Sequence, residues 1–143
     1  LSNILAALGR SQLERIDQTV TRHRELRELY REGLAHLEGV LVQEDPPWGR
    51  SNAWLTVVTF DLGVHPDAPS QIRLALEERN IESRPIWKPM HQQPVFRGAR
   101  SFLTGKADSA YSLGLCLPSG PLITDLDVEE VCSVISRTLG PRT

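Results

Sequence analysis

The sequence predicts an α+β fold, a small sheet with helices packed on one side, and three observations carry that prediction. Apolar residues recur at steps of three or four from residue 2 to 37. A run rich in Val, Thr, Trp and Phe, NAWLTVVTFDL, has the composition of a strand and opens a strand, helix, strand order. A last apolar stripe at helical spacing closes the chain at 125–139. The 143 residues, 40% hydrophobic and 24% charged, suit one soluble globular domain.

The first element is a helix whose stripe is Leu13, Ile16, Val20, His23, Leu26, Tyr30, Leu34 and Leu37, with Ser2 as its cap and Gly39 as its stop. The opposite face mixes Arg and Glu and reads as solvated surface. At 1.5 Å per residue about 36 residues reach roughly 54 Å. A compact domain of this size has a radius of gyration of about 14 to 15 Å, so the helix overshoots it. Either the helix breaks, at Gly9 or near Asp17, or its apolar front, NILAALG, packs on a domain or subunit outside this chain.

The rest follows in order. VLVQ begins a short strand at Val40 and DPPWG breaks it. The strand at 52–62 lies between Gly49 and Gly63. A helix from Pro69 or Ser70 to about Asn80 packs through Ile72, Leu76 and Ile81. IESRPIW reads as the next strand, and its relation to the first is a parallel or a split crossover. A helix at 106–113, a short strand LCLP and the helix at 125–139, capped by Thr124 or Asp125, complete the chain.

Composition narrows the chemistry. Net charge is -2, so any anion site is a local patch. The stretch from Ser83 to Ala107 has no Asp or Glu, yet holds Arg84, Lys88, Arg97, Arg100 and Lys106 with Trp87, His91, Phe96 and Phe102. Pro85, Pro89 and Pro94 stiffen it into a loop at a strand end, where binding groups concentrate. Guanidinium forks take phosphate and aromatic planes take bases or sugars, so a nucleotide or nucleotide sugar is the sharp reading. A solvated Arg-rich loop is the bland one, in which Arg84 pairs with a nearby carboxylate and Trp87 fills the core. The only lysines are Lys88 and Lys106, which bounds any lysine chemistry done by this chain alone.

Other classes lack a motif. There is no GxSxG, P-loop or GxGxxG, and no Cys or His pair at zinc spacing, so no metal is expected. Cys116 and Cys132 sit among apolar neighbours and are expected to be inert thiols. No apolar run approaches the ~20 residues of a membrane span, and LSNILAALGR lacks a signal peptide's basic-then-apolar order, so a cytoplasmic protein is expected.

Four blocks in order, SNILAALGRSQLERID with RHRELRELYREGL, then SNAWLTVVTFD, LALEERNIESRPIWKPMHQQPVF and LGLCLPSG, resemble the DegT/DnrJ/EryC1/StrS family of pyridoxal-phosphate-dependent sugar aminotransferases. RPIWKPMH with LCLPSG is most similar to members that aminate the 4-keto position of UDP-linked deoxysugars. The resemblance implies the C-terminal small domain of a fold type I transferase, with residues 1–38 as an interdomain helical segment and 39–143 as the small α+β domain. It also implies a large domain upstream that carries the Schiff-base lysine and the pyridoxal phosphate, so no catalytic residue and no bound cofactor are expected in this chain. A homodimer, a nucleotide-sugar substrate and a glutamate amino donor follow from the same resemblance, with no nucleic acid and no membrane. Arg84, Trp87, Lys88 and His91 are the expected substrate-binding residues. The alternative is a stand-alone module that binds a phosphorylated ligand or single-stranded nucleic acid through residues 84–106.

Overall fold

In the computed structural model, which describes residues 2–140, the predicted N-terminal helix is two helices, α1 (Asn3–Leu13) and α2 (Ile16–Leu34). Ser2 caps α1, its hydroxyl accepting the Leu5 N–H at 3.3 Å. The interruption lies just ahead of Asp17, and Gly9 stays inside α1. Arg15 has a non-helical backbone (φ -110°, ψ 1°), and its N–H bonds the Gln12 carbonyl three residues back at 3.2 Å, which tightens the end of α1. The physical reason for the correction is packing: every described residue of α1 is exposed, and Leu13 and Ile16 remain 70% and 52% exposed. Nothing in the described chain holds the two segments to one axis. The stripe docks only later, through buried Leu26, Tyr30 and Leu34.

The sheet holds β1 (Val40–Val42), β2 (Thr56–Phe60), β3 (Arg84–Pro85) and β4 (Gly114–Leu117) in the order β1-β2-β4-β3, with every neighbour antiparallel. β2 and β3 therefore run the same way with β4 inserted between them, so the crossover through α3 (Ala68–Glu77) is the split one. Registers such as Val40 opposite Phe60 and Val58 opposite Leu115 align one apolar face. Gly39, at φ +73°, makes the turn into β1, a conformation that favours glycine.

Two strands are shorter than the pattern predicts. Ahead of β2, the Ser51 hydroxyl accepts the Ala53 N–H at 2.9 Å and Asn52 Oδ1 accepts the Trp54 N–H at 3.3 Å, folding the expected strand start into a turn. Arg24 holds that turn, donating Nε and Nη2 to the Ser51 carbonyl at 2.9 and 2.7 Å. Ala53 is buried there at φ +51°, a left-handed conformation costly for a residue with a Cβ. The segment 81–87 pairs only at Arg84 and Pro85, because Pro85 has no N–H to continue a ladder.

The core lies between one sheet face, with Val58, Phe60, Leu115 and Leu117, and helices α2, α3 and α5 (Asp125–Leu139). Ile72 and Leu76 of α3 and Val128, Val131 and Ile135 of α5 are buried in it, each such side chain contributing about 1.5–3 kcal/mol of burial. A capping box starts α5: Thr124 Oγ1 accepts the Asp127 N–H at 3.2 Å and the Asp127 carboxylate accepts the Thr124 N–H at 2.8 Å. The other sheet face is largely open, with Leu41 71% exposed beside Val57 and Thr59, and α4 (Lys106–Leu113) and Ile86 reach its end. Both cysteines are free and buried, and burial pushes the Cys132 thiol up to about 11. No helix among the described residues is long and apolar enough to cross a membrane.

Candidate functional site

The edge strand β3 delivers the predicted binding loop. After Pro85 the chain leaves the sheet and makes two 3-10 turns, Met90–Gln92 and Pro94–Phe96, the second preceded by Gln93 in the extended conformation that a following proline favours. Gln93 braces the first turn by donating Nε2 to the Lys88 carbonyl at 3.1 Å. The loop is stiffened by its own residues rather than by ladder bonds.

A cleft of about 390 Å³ opens where this loop meets the turn before β2 and the end of β4. Its aromatic wall is Trp54 stacked on Trp87, with ring centroids 5.8 Å apart and planes 26° from parallel. The two rings are 59% and 64% exposed, so Trp87 does not fill the core. Arg84 and Glu82 stand on the rim, where Arg84 donates Nε and Nη2 to Glu82 Oε1 at 2.8 and 2.6 Å. Both side chains are about three-quarters exposed, so the pair is worth little and a ligand anion can compete for the fork. Cys116 and Ser119 contribute to the cleft lining. Ser119 is buried and structural: its hydroxyl accepts the Thr56 N–H at 2.7 Å and donates to the Leu117 carbonyl at 2.8 Å. The Ser83 hydroxyl, also at the cleft, is buried without a partner among the described residues.

Of the four expected binding residues, the cleft brings together Arg84 and Trp87. Lys88 is exposed in the following loop, outside the cleft lining. His91 faces α4, its Nε2 lying 2.8 Å from Asp108 Oδ1. Gln92 donates to the same oxygen, and these two partners, Gln92 foremost, hold the Asp108 carboxyl below the usual carboxylate range. Arg100 is taken up elsewhere, its guanidinium 5.1 Å from the Phe102 ring centroid.

Sequence reasoning missed Trp54, Glu82 and Asp108. The last two are the carboxylates immediately outside the acid-free stretch, and a search for the partners of its cations at its two borders finds both. Trp54 carried no signal, since its neighbour Trp87 lies across the sheet. Among the described residues no cluster of His, Cys, Asp and Glu can hold a metal ion.

Solved aminotransferase structures share this fold. The crystal structure of DesI in the presence of its TDP-sugar product superposes with a TM-score of 0.79 at 28% identity, over 94% of this chain and 34% of that one. The chain belongs to the DegT/DnrJ/EryC1/StrS aminotransferase family, whose model matches residues 1–136. It is 40% identical over 94% of its length to EpsN of Bacillus subtilis, named as a pyridoxal phosphate-dependent aminotransferase, covering 35% of that protein. It is 33% identical over 96% of its length to the GDP-perosamine synthase of Vibrio cholerae, covering 37% of it. The chain thus spans about a third of the length of the curated relatives it matches.

Pyridoxal phosphate in such enzymes needs a lysine for the Schiff base, a partner for the pyridine nitrogen and donors around the phosphate. Lys88 and Lys106 are both exposed and neither lines the cleft. The residues of this chain, taken by themselves, do not fit the cofactor.

Proposed function

We propose that this chain is the C-terminal small domain of a pyridoxal-phosphate-dependent aminotransferase that moves an amino group, with glutamate as donor, onto a keto sugar carried by a nucleotide. The observation that carries the reading is the Trp54–Trp87 wall beside the Arg84 fork, in a chain matched by the sugar-aminotransferase family over residues 1–136. The GDP-perosamine synthase and DesI similarities support the substrate class. Family membership favours this reading over a stand-alone module for phosphorylated ligands or single-stranded nucleic acid.

In this reading the cofactor is held by the remainder of the enzyme, and the small domain serves the substrate. Trp54 and Trp87 offer a flat apolar face to a base or sugar, and Arg84 exchanges Glu82 for a diphosphate oxygen. Lys88 adds a second cation and His91 a hydrogen-bonding ring on the same loop. Residues 1–38 link the domains, residues 39–143 form the small domain, and the enzyme is a cytoplasmic homodimer.

The test is to express the whole polypeptide encoded by the reading frame through Leu1 and incubate it with glutamate and UDP-, GDP- or dTDP-linked 4-keto-6-deoxyhexoses. The expected product is an amino sugar nucleotide, detected by mass spectrometry. Trp87→Ala and Arg84→Ala should each raise the KM for the sugar nucleotide by about tenfold, the loss of roughly one stacking or charge-assisted contact, with bound cofactor unchanged. Amination of none of these sugars would sink the reading.

A further inference from the structure

Residues 43–55 lie between β1 and β2, and α2 grips them at two points. Arg27 Nη1 donates to Asp45 Oδ1 at 2.5 Å, in a pair whose side chains are only 13% and 27% exposed. One turn earlier on α2, Arg24 directs both Nε and Nη2 at the Ser51 carbonyl. Arg27 chiefly, with the Ser51 N–H, holds the Asp45 carboxyl below the usual carboxylate range, so the two anchored residues are also tied to each other. The chain beyond Ser51 is strained. Its hydroxyl accepts the Ala53 N–H, and Ala53, 2% exposed, stands at φ +51°, where a Cβ crowds the backbone. An alanine stays in that region only where its surroundings over-determine it. The next residue is Trp54, whose ring forms the cleft wall with Trp87.

We propose that Arg24 and Arg27 are positioning residues for the cleft: through the Ser51 carbonyl and Asp45 they hold Ala53 in its left-handed conformation, which directs Trp54 onto Trp87. Neither arginine lines the cleft, so both act through the turn. Helix α2 thereby sets the aromatic wall of a site it does not enter. The sugar-nucleotide ligand rests on the function proposed above, while the positioning rests on the geometry of the turn alone. A brace with no bearing on the cleft accounts for the ion pair, but it gives no reason for a strained, buried Ala53 immediately before the wall residue.

The stacked indoles supply the signal. Of the three tryptophans, Trp54 and Trp87 form the stack, so circular dichroism of the chain should show an exciton couplet that Trp54→Phe or Trp87→Phe abolishes and Trp48→Phe leaves. Arg24→Ala, Arg27→Ala and Ser51→Ala should each lose most of that couplet while keeping a cooperative urea transition. Arg24→Lys should keep part of it, because an ammonium replaces the two-pronged fork. Adding Ala53→Gly to Arg24→Ala should bring the couplet back, since glycine occupies the left-handed region without a brace. A full couplet in folded R24A or S51A, even with a lowered urea midpoint, is the mark of a merely structural brace and overturns the proposal, as does a failure of Ala53→Gly to restore it. In the whole enzyme, W54A and R24A should each raise the KM for the sugar nucleotide about tenfold with kcat much less affected, and the double variant should lose no more than W54A alone. An enzyme that aminates its sugar and responds to W54A, yet is indifferent to R24A, overturns this inference and leaves the proposed function standing. Loss of the couplet in R24A with amination of none of the sugars does the reverse.

Discussion

The Tyr30 hydroxyl donates to the Pro118 carbonyl at 2.9 Å, joining the C-terminal part of α2 to the exit of β4 from inside the core. Tyr30 is fully buried, and burial pushes its phenol well above the ordinary range. Tyr30→Phe keeps the ring and strands the carbonyl. It should cost about 1–3 kcal/mol, the penalty of an unsatisfied buried acceptor, read as a lower urea midpoint at unchanged slope. A midpoint equal to that of the parent would mean that water replaces the hydroxyl.

Gly33 lies on α2 against α5, and a Cβ there would come within 2.7 Å of Cys132 Sγ. Helix propensity alone favours Gly33→Ala by about 1 kcal/mol. Because the obstacle is a buried side chain in a packed core, the sign should reverse to a loss of about 1–3 kcal/mol. Adding Cys132→Ala should recover part of it, and thermal melting of the two single variants and the double variant measures that coupling.

Alkaline pH should unfold the chain progressively. Cys132 has its thiol raised from 9.0 to about 11 by burial and by Glu129, and Tyr30 is raised as well. A raised folded pKa means that the native state holds the proton longer, so this contribution is intact below the unfolded value and is lost as pH climbs through the folded one. Stability should therefore decline from about pH 9, with a limiting slope of about 1.4 kcal/mol per pH unit for each group. Urea titrations between about pH 8 and 11 should show that slope shrink in Cys132→Ser. A flat profile would place the thiol in water.

The α1 helix exposes Ile4, Leu5, Leu8 and Leu13 and buries none of its residues. At concentrations low enough to keep the chain dissociated, removing residues 1–14 should leave its melting temperature unchanged, since α1 buries none of its residues. The intact chain should self-associate through this apolar face, and Ile4→Ser with Leu8→Ser should abolish the association in sedimentation experiments. A monomer at all concentrations would contradict the association.

Much of the architecture is local, and the sequence by itself determined it. Helix α5 with its Thr124 cap, α4, the body of β2 and the split or parallel order of β2, α3 and β3 all follow from periodicity, capping and breakers, because those depend on residues a few positions apart. The Arg84 and Trp87 positions were legible too, since an acid-free, proline-stiffened stretch is visible without coordinates. What only the tertiary structure decided is how distant segments meet. Length alone raised a helix break at Gly9 or near Asp17 as one of two outcomes, and the tertiary structure put it at Arg15; the absence of described packing over α1 is a property of the whole domain. The insertion of β4 between β2 and β3 depends on which strand buries the shared face best. Trp54 stacks on Trp87, Arg84 finds Glu82 and His91 finds Asp108 through the loop's path, which short-range pattern does not encode. Periodicity reports which face of an element is apolar; the choice among polar and aromatic partners on the other face is made by three-dimensional proximity.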